Sequence, residues 1–442
     1  MFVAELLSVP QGRAAMKTFA LAALCLTACD DASVTRGPAD GSAGTVDGPL
    51  EIVDAADLDG GTRGPTDATL NVGVGGDATA PSGEGGTVTA CAGATLPPAT
   101  LSCTGLYADI VGKTLAPGVR SYQPAVPLWS DGAQKARWIQ LPPGTTIDVT
   151  DPNEWTFPVG TKIWKEFSRN GSRVETRLFQ KVGNGPPPYW VHATYAWNAD
   201  ESEATTSGGG DITLAADGGT YHIPTFAECE QCHNGRIDHI LGFEQISLGL
   251  SGAQGLTLTQ LASEGLIAPA PSQTVLTLGD DGTGLAAGAL AWIHINCGVT
   301  CHNANSTATA YGVGMRLRLD SALLDGRPLT VATVDPLRTT IGVAAVSPGW
   351  AQPRQWTRIV PGDPGDSLLV QLISNRGTNN PVGGQMPPIA TSIVDTADVA
   401  TVADWVAAMP PAIDGGSDGG MDAAIGTNVD ADTDALAADA GD

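Results

Sequence analysis

Cys229-Glu230-Gln231-Cys232-His233 and Cys297-Gly298-Val299-Thr300-Cys301-His302 are the stretches on which the reading of this chain turns. The first has the C-x-x-C-H spacing of a c-type haem attachment site. The second repeats it with one more residue between the thiols. In such a site the two cysteines bond to the porphyrin vinyl groups, and the following histidine is the proximal iron ligand. A zinc reading would need two further ligands close by, and a thioredoxin-like dithiol would need a βαβ setting. Neither is present around Cys229, whereas at Cys297 and Cys301 a local disulfide or thiol pair is the plainer alternative. The expected cofactors are two covalently bound haem c groups, held by Cys229, Cys232 and His233 and by Cys297, Cys301 and His302.

Downstream of His302, Gly384-Gln385-Met386-Pro387-Pro388 offers a thioether in a stiff Gly/Pro loop. His/Met ligation suits a haem of raised potential, which makes Met386 the expected distal ligand of the second haem. The first haem has no such methionine before Cys297. Of His192, His222, His239 and His294, the candidate is His294, three residues before Cys297. Helices are expected where Leu285 to Ile295 lead into Cys297, where Leu368, Leu369, Leu372 and Ile373 recur, and after Asp395 as N-cap, ending at Pro410.

Residues 100–220 read differently. Ala136 to Leu141, Thr161 to Phe167, Arg173 to Val182 and Tyr189 to Trp197 are short aromatic and β-branched runs separated by Pro/Gly turns. Six of the ten tryptophans lie between Trp129 and Trp197. A packed β core explains them more simply than a ligand face does. The expected fold is α+β and multidomain: a β-rich, sandwich- or barrel-like N-terminal domain, then mostly α cytochrome c-type haem domains, with acidic disordered flanks.

Leu106-Tyr107, Pro127-Leu128-Trp129-Ser130-Asp131-Gly132-Ala133, Leu141-Pro142-Pro143-Gly144, Tyr195-Ala196-Trp197-Asn198, Leu241-Gly242-Phe243-Glu244, Val360-Pro361-Gly362-Asp363-Pro364 and Met386-Pro387-Pro388 join the two cysteine motifs in one pattern. Together, over roughly residues 100–410, this pattern resembles a family of exported bacterial dihaem c-type cytochromes with an N-terminal β-rich domain. The resemblance implies electron transfer outside the cytoplasm. The three-residue spacer of the second motif departs from the family pattern.

Met16-Lys17, the apolar run from Phe19 to Ala28 and then Cys29 have the form of a lipoprotein signal with a lipobox. The expected divisions are a signal over 1–29, with Met16 as its true start, and an acidic linker over 30–95. The β-rich domain over 100–220 and a first haem segment over 221–284 follow. A second haem domain over 285–411 and an acidic tail over 412–442 complete the chain. Cys29 is the expected lipidation site and Cys91 with Cys103 the expected disulfide, fitting an oxidising compartment.

The net charge of −25 comes mostly from the flanks: residues 30–90 hold eleven acids and two arginines, residues 412–442 eight aspartates and no base. Such a balance argues against nucleic-acid partners. The expected place is the bacterial cell envelope, on the periplasmic side or at the outer membrane, held by lipid and exchanging electrons with donor and acceptor proteins. Two alternatives remain beside that carrier. One is a dihaem peroxidase-like enzyme with an open first haem. The other is a β module that binds a partner or glycan and is wired to the haems.

Overall fold

Residues 134–140, 162–169, 172–183 and 189–197 are rich in aromatic and β-branched side chains, and a strand sends successive residues to opposite faces. The structure, a computed structural model, describes residues 91, 95–185, 189–214, 219–346 and 355–411. The expected lipidation site Cys29, most of the acidic linker and the acidic tail lie outside these residues. In chain order the strands are β1 (Tyr107–Asp109), β2 (Thr114–Leu115), β3 (Arg120–Gln123), β4 (Gln134–Gln140), β5 (Ile147–Asp148) and β6 (Lys162–Arg169). They continue with β7 (Ser172–Gly183), β8 (Tyr189–Trp197), β9 (Ala204–Ser207), β10 (Gly210–Thr213), β11 (Thr220–Ile223), β12 (Gln254–Gly255) and β13 (Ile267–Ala268).

Seven of them form one antiparallel sheet in the order β12-β3-β4-β6-β7-β8-β9. The sheet has β12 and β9 as its edges, so the sandwich- or barrel-like expectation is replaced by an open sheet covered on both faces. Trp138, Trp164 and Leu178 point to one side, where Leu101, Leu106, Tyr107 and Val119 of the preceding segment pack on them. Their neighbours Ile139, Ile163 and Phe179 point to the other, into a larger core shared with Phe243, Leu290, Trp292 and Trp405. Cys91 and Cys103 are disulfide-bonded, with Cα atoms 5.3 Å apart, and tie down the start of this segment.

The helices are α1 (Phe226–His233), α2 (Gln245–Gly249), α3 (Leu258–Ser263), α4 (Ala286–Ile293), α5 (Asp335–Arg338), α6 (Leu368–Ile373) and α7 (Thr396–Ala408). Asp395 caps α7 by accepting from the Asp398 N–H, as its sequence position predicts. Tryptophan N–H groups are tied to carboxylates beside these helices: Trp292 to Asp395 at 3.2 Å and Trp405 to Asp281 at 2.8 Å. The fold is thus mixed α+β, with one continuous core beneath both the sheet and the helices.

A buried polar node joins the sheet to the loop after α1. Lys181 and Asp238, 1% and 3% exposed at the side chain, pair at 2.7 Å. Asp238 also accepts from the Phe157 N–H at 2.6 Å and the Trp190 indole at 2.8 Å. The Lys181 ammonium donates again to the Phe157 carbonyl at 2.8 Å. A buried ion pair is tolerable only when its remaining hydrogen-bonding capacity is met, as it is here. Among the described residues no helix is long and apolar enough to cross a membrane.

Candidate haem site

The first motif lies on α1. Thr225 and Glu228 make a reciprocal capping box: the Thr225 hydroxyl accepts from the Glu228 N–H, and the Glu228 carboxylate accepts from the Thr225 N–H at 2.8 Å. The helix therefore starts at a fixed residue and presents Cys229, Cys232 and His233 from its last two turns. His233 Nδ1 lies 2.5 Å from the His239 carbonyl oxygen. A carbonyl can only accept, so Nδ1 carries the proton and Nε2 keeps its lone pair. This arrangement is the usual one for a metal-bound histidine. Burial pushes the His233 imidazole down to about 3, so it is neutral.

The back of His233 is also packed. Its ring stacks on Phe179 at 4.4 Å, Phe179 on His192 at 5.0 Å, and His192 on Phe226 at 4.2 Å. His192 is therefore a packed residue of β8.

The second motif lies at the end of α4, where the helix widens into a π turn over His294–Gly298. Two bonds span five residues: Val299 N–H to the His294 carbonyl at 2.8 Å, and His302 N–H to the Cys297 carbonyl at 2.8 Å. The extra residue of the second spacer is absorbed by this wider winding. Burial raises the Cys297 thiol to about 12 and lowers His302 to about 4. His302 Nδ1 is buried without a hydrogen bond.

Both motifs open on one cavity of about 510 Å³, within the range of small-molecule and cofactor sites. Cys229, Cys232, His233, Cys297, Cys301 and His302 all line it, and Met386 joins them from the opposite loop. Interaction between the neighbouring Cys232 and Cys301 thiols raises Cys232 and lowers Cys301. Backbone contact is as close. A Cβ on Gly235 would sit 1.7 Å from the Thr300 carbonyl oxygen, so the chain after the first motif can meet the second only as glycine. Asn303 and Asn305 donate to the Gly235 carbonyl at 3.1 and 2.8 Å. Thr307 and Thr309 bond the Asn234 and Gln231 carbonyls at 2.6 and 2.8 Å. The segment after the second motif thereby satisfies the carbonyls that the end of α1 leaves open.

Met386 donates its N–H to the Leu372 carbonyl at 3.0 Å and packs on Leu368 and Leu372 of α6. The loop beyond it is clasped from the sheet side. Asp131 accepts from Ser392 N–H and Oγ–H and from Ile393 N–H at 2.7–3.0 Å, while the Trp129 indole donates to the Ile393 carbonyl at 2.9 Å. Trp129 N–H reaches the other way, to Asn296 beside Cys297, at 2.7 Å. One short segment, Trp129 to Asp131, thus fixes the methionine loop relative to the second motif.

His294 is placed elsewhere. Its Nδ1 accepts from the Leu319 N–H at 2.9 Å, and Nε2 lies 3.6 Å from Glu244 Oε1. It is 1% exposed and is not among the cavity-lining residues. His222 does line the cavity, but Asp211 and Glu228 engage its two ring nitrogens at 2.7 and 3.1 Å.

Two thiols and a neutral imidazole, given twice around one largely apolar cavity with a facing thioether, are a donor set that fits haem c. Among the described residues no group of three or more His, Cys, Asp or Glu side chains converges as the shell of a bare ion would. No protein-family model, no curated protein and no solved structure matches this chain.

Proposed function

We propose that the chain is a dihaem c-type cytochrome of the bacterial cell envelope, anchored by lipid at Cys29, that passes single electrons between donor and acceptor proteins. The observation that carries the reading is the convergence of both cysteine-histidine motifs and Met386 on one cavity. Cys229 and Cys232 would hold one porphyrin with His233 as proximal ligand, and Cys297 and Cys301 the other with His302. Haem iron supplies a one-electron couple whose potential follows its axial ligands, burial and hydrogen bonds. His233 is oriented for ligation by the His239 carbonyl, and Met386 faces the cavity from a loop held by Trp129 and Asp131. Close packing of the motifs at Gly235 and Thr300 keeps the attachment edges together.

The test is covalent haem content after expression in a host that matures c-type haem. Intact mass and the reduced pyridine spectrum should give two haems per chain, and Cys229→Ala with Cys232→Ala should remove one. A chain without covalent haem overturns the reading. Met386→Ala should lower one midpoint potential, and an unchanged pair of potentials removes Met386 as ligand.

A second reading is favoured by one observation. With His294 turned to Leu319 and Glu244, no cavity-lining histidine with a free ring nitrogen remains as sixth ligand of the first haem. An open iron there would suit a peroxidase-like enzyme fed by the Met386 haem. Fast carbon monoxide binding at one of two reduced haems supports the enzyme, and its absence supports the carrier.

A further inference from the structure

The cavity floor is cationic in a chain whose net charge is −25. Strand register explains how. Arg137 of β4, Lys165 of β6 and Arg177 of β7 are direct cross-strand partners, so all three project from the same face of the sheet. That face carries Ile139, Ile163 and Phe179 one row away, under the helices. Lys165 and Arg177 line the cavity beside Cys229, Cys232 and His233. The lining as a whole holds the bases Lys165, Arg169, Arg177 and Arg358 against the acids Asp131 and Glu228.

Those acids are engaged: Asp131 with Ser392 and Ile393, and Glu228 with Thr225 and His222. The buried Glu175 is taken by Arg177 at 2.5 Å and by the Tyr221 hydroxyl at 2.7 Å. Arg137 rests on the Gln123 side chain at 2.9 Å. Lys165 has no hydrogen bond or ion pair among the described residues, and its ammonium lies 5.5 Å from the Phe167 ring. Burial and the charges of Arg137, Lys135 and Arg177 drive its amine well below the usual lysine range, against the opposing charge of Glu175. A half-buried cation repelled by three others is costly unless an anion joins it.

We propose that Lys165, flanked by Arg177 and Arg137, is an anion site in the cavity floor and that its ligand is a carboxylate. The carboxylate is a propionate of the porphyrin in the first site, a source that rests on the preceding reading, or a small free acid admitted to the same cavity.

The test uses the full chain in two forms, with formate as probe. In haem-free protein, formate should raise the melting temperature relative to matched chloride, and Lys165→Gln should abolish the rise while Lys165→Arg keeps it. In the haem-loaded protein, Lys165→Gln should shift one midpoint potential downward, with Lys165→Arg restoring it. If formate leaves the loaded spectrum unchanged, the propionate is the ligand. If formate perturbs the loaded wild type and not Lys165→Gln, a free acid is. No formate effect in either form, with potentials unchanged in Lys165→Gln, overturns the anion site. A chain that carries no haem yet is stabilised by formate through Lys165 keeps the anion site and sinks the cytochrome reading. Should the haem-free chain fail to fold, the potentials of the loaded variants decide.

Discussion

The two cysteine-histidine motifs reach the same cavity by opposite routes. The first sits on a short helix whose residues are exposed or half-buried, started by a capping box and aimed by a local bond from His233 to the His239 carbonyl. The second emerges from a helix in which Trp292 and Ile293 are buried, through a π turn whose residues His294, Ile295 and Asn296 are buried too. Local hydrogen bonding places one set of donors; tertiary packing places the other. A short helix with little apolar burial needs caps to persist, whereas a helix sunk in the core can accommodate an irregular turn because its surroundings fix it. The longer second spacer is therefore a winding change rather than a loose loop.

Five substitutions, the last read through its pH dependence, would break or sharpen this contrast. Asp238→Ala leaves Lys181 charged and unpaired under the first motif and should cost about 3–5 kcal/mol in denaturant unfolding. A cost below 1 kcal/mol would show that the node does not support that side of the molecule. Gly235→Ala forces a methyl onto the Thr300 carbonyl and should cost about 1–3 kcal/mol. Under the proposed function it should also weaken the link between the motifs, read as lower haem occupancy at both.

Asp131→Ala removes the clasp on the methionine loop at about 1–1.5 kcal/mol. Under the proposed function it abolishes the sulfur-to-iron band while both covalent haems stay. Retention of that band would mean that the loop is held by α6 alone. Thr225→Ala should cost about 1 kcal/mol by removing the cap of α1. That loss should expose amides of the first motif to hydrogen exchange and leave those of the second unchanged.

Lys135 tests the cationic face by its pH dependence. Burial, then the charges of Arg137 and Arg177, lower its amine to about 7. The folded state thus binds fewer protons than the unfolded one between about pH 7 and pH 10.5, so stability rises with pH across that window and the cost is full below it. Lys135→Met should flatten the slope and raise the melting temperature at neutral pH. An unaltered slope would show that the amine is not desolvated.

Much of this was readable along the chain. Strands over 134–140, 162–169, 172–183 and 189–197 follow from aromatic and β-branched runs between Pro/Gly turns, and α7 from Asp395 and its apolar spacing. The Thr225–Glu228 box is itself a four-residue pattern that locates the start of α1. Harder to see were residues whose partners lie far away in sequence: Asp131 with Ser392, Asn305 with Gly235, and His294, which proximity to Cys297 marks as a ligand and packing turns toward Glu244.

By itself the sequence determined the chemistry on offer and the local geometry: thiols and imidazole at fixed spacing, a stiff methionine loop, and strands rich in aromatic and β-branched residues. Hydrophobic period, caps and turn residues act over a few positions, so they can be read there. Only the tertiary structure decided that one cavity serves both motifs, that the sheet and helices share a core, and that Arg137, Lys165 and Arg177 form a single row beneath it. Strand register and close packing join residues many positions apart, and no local pattern encodes those distances.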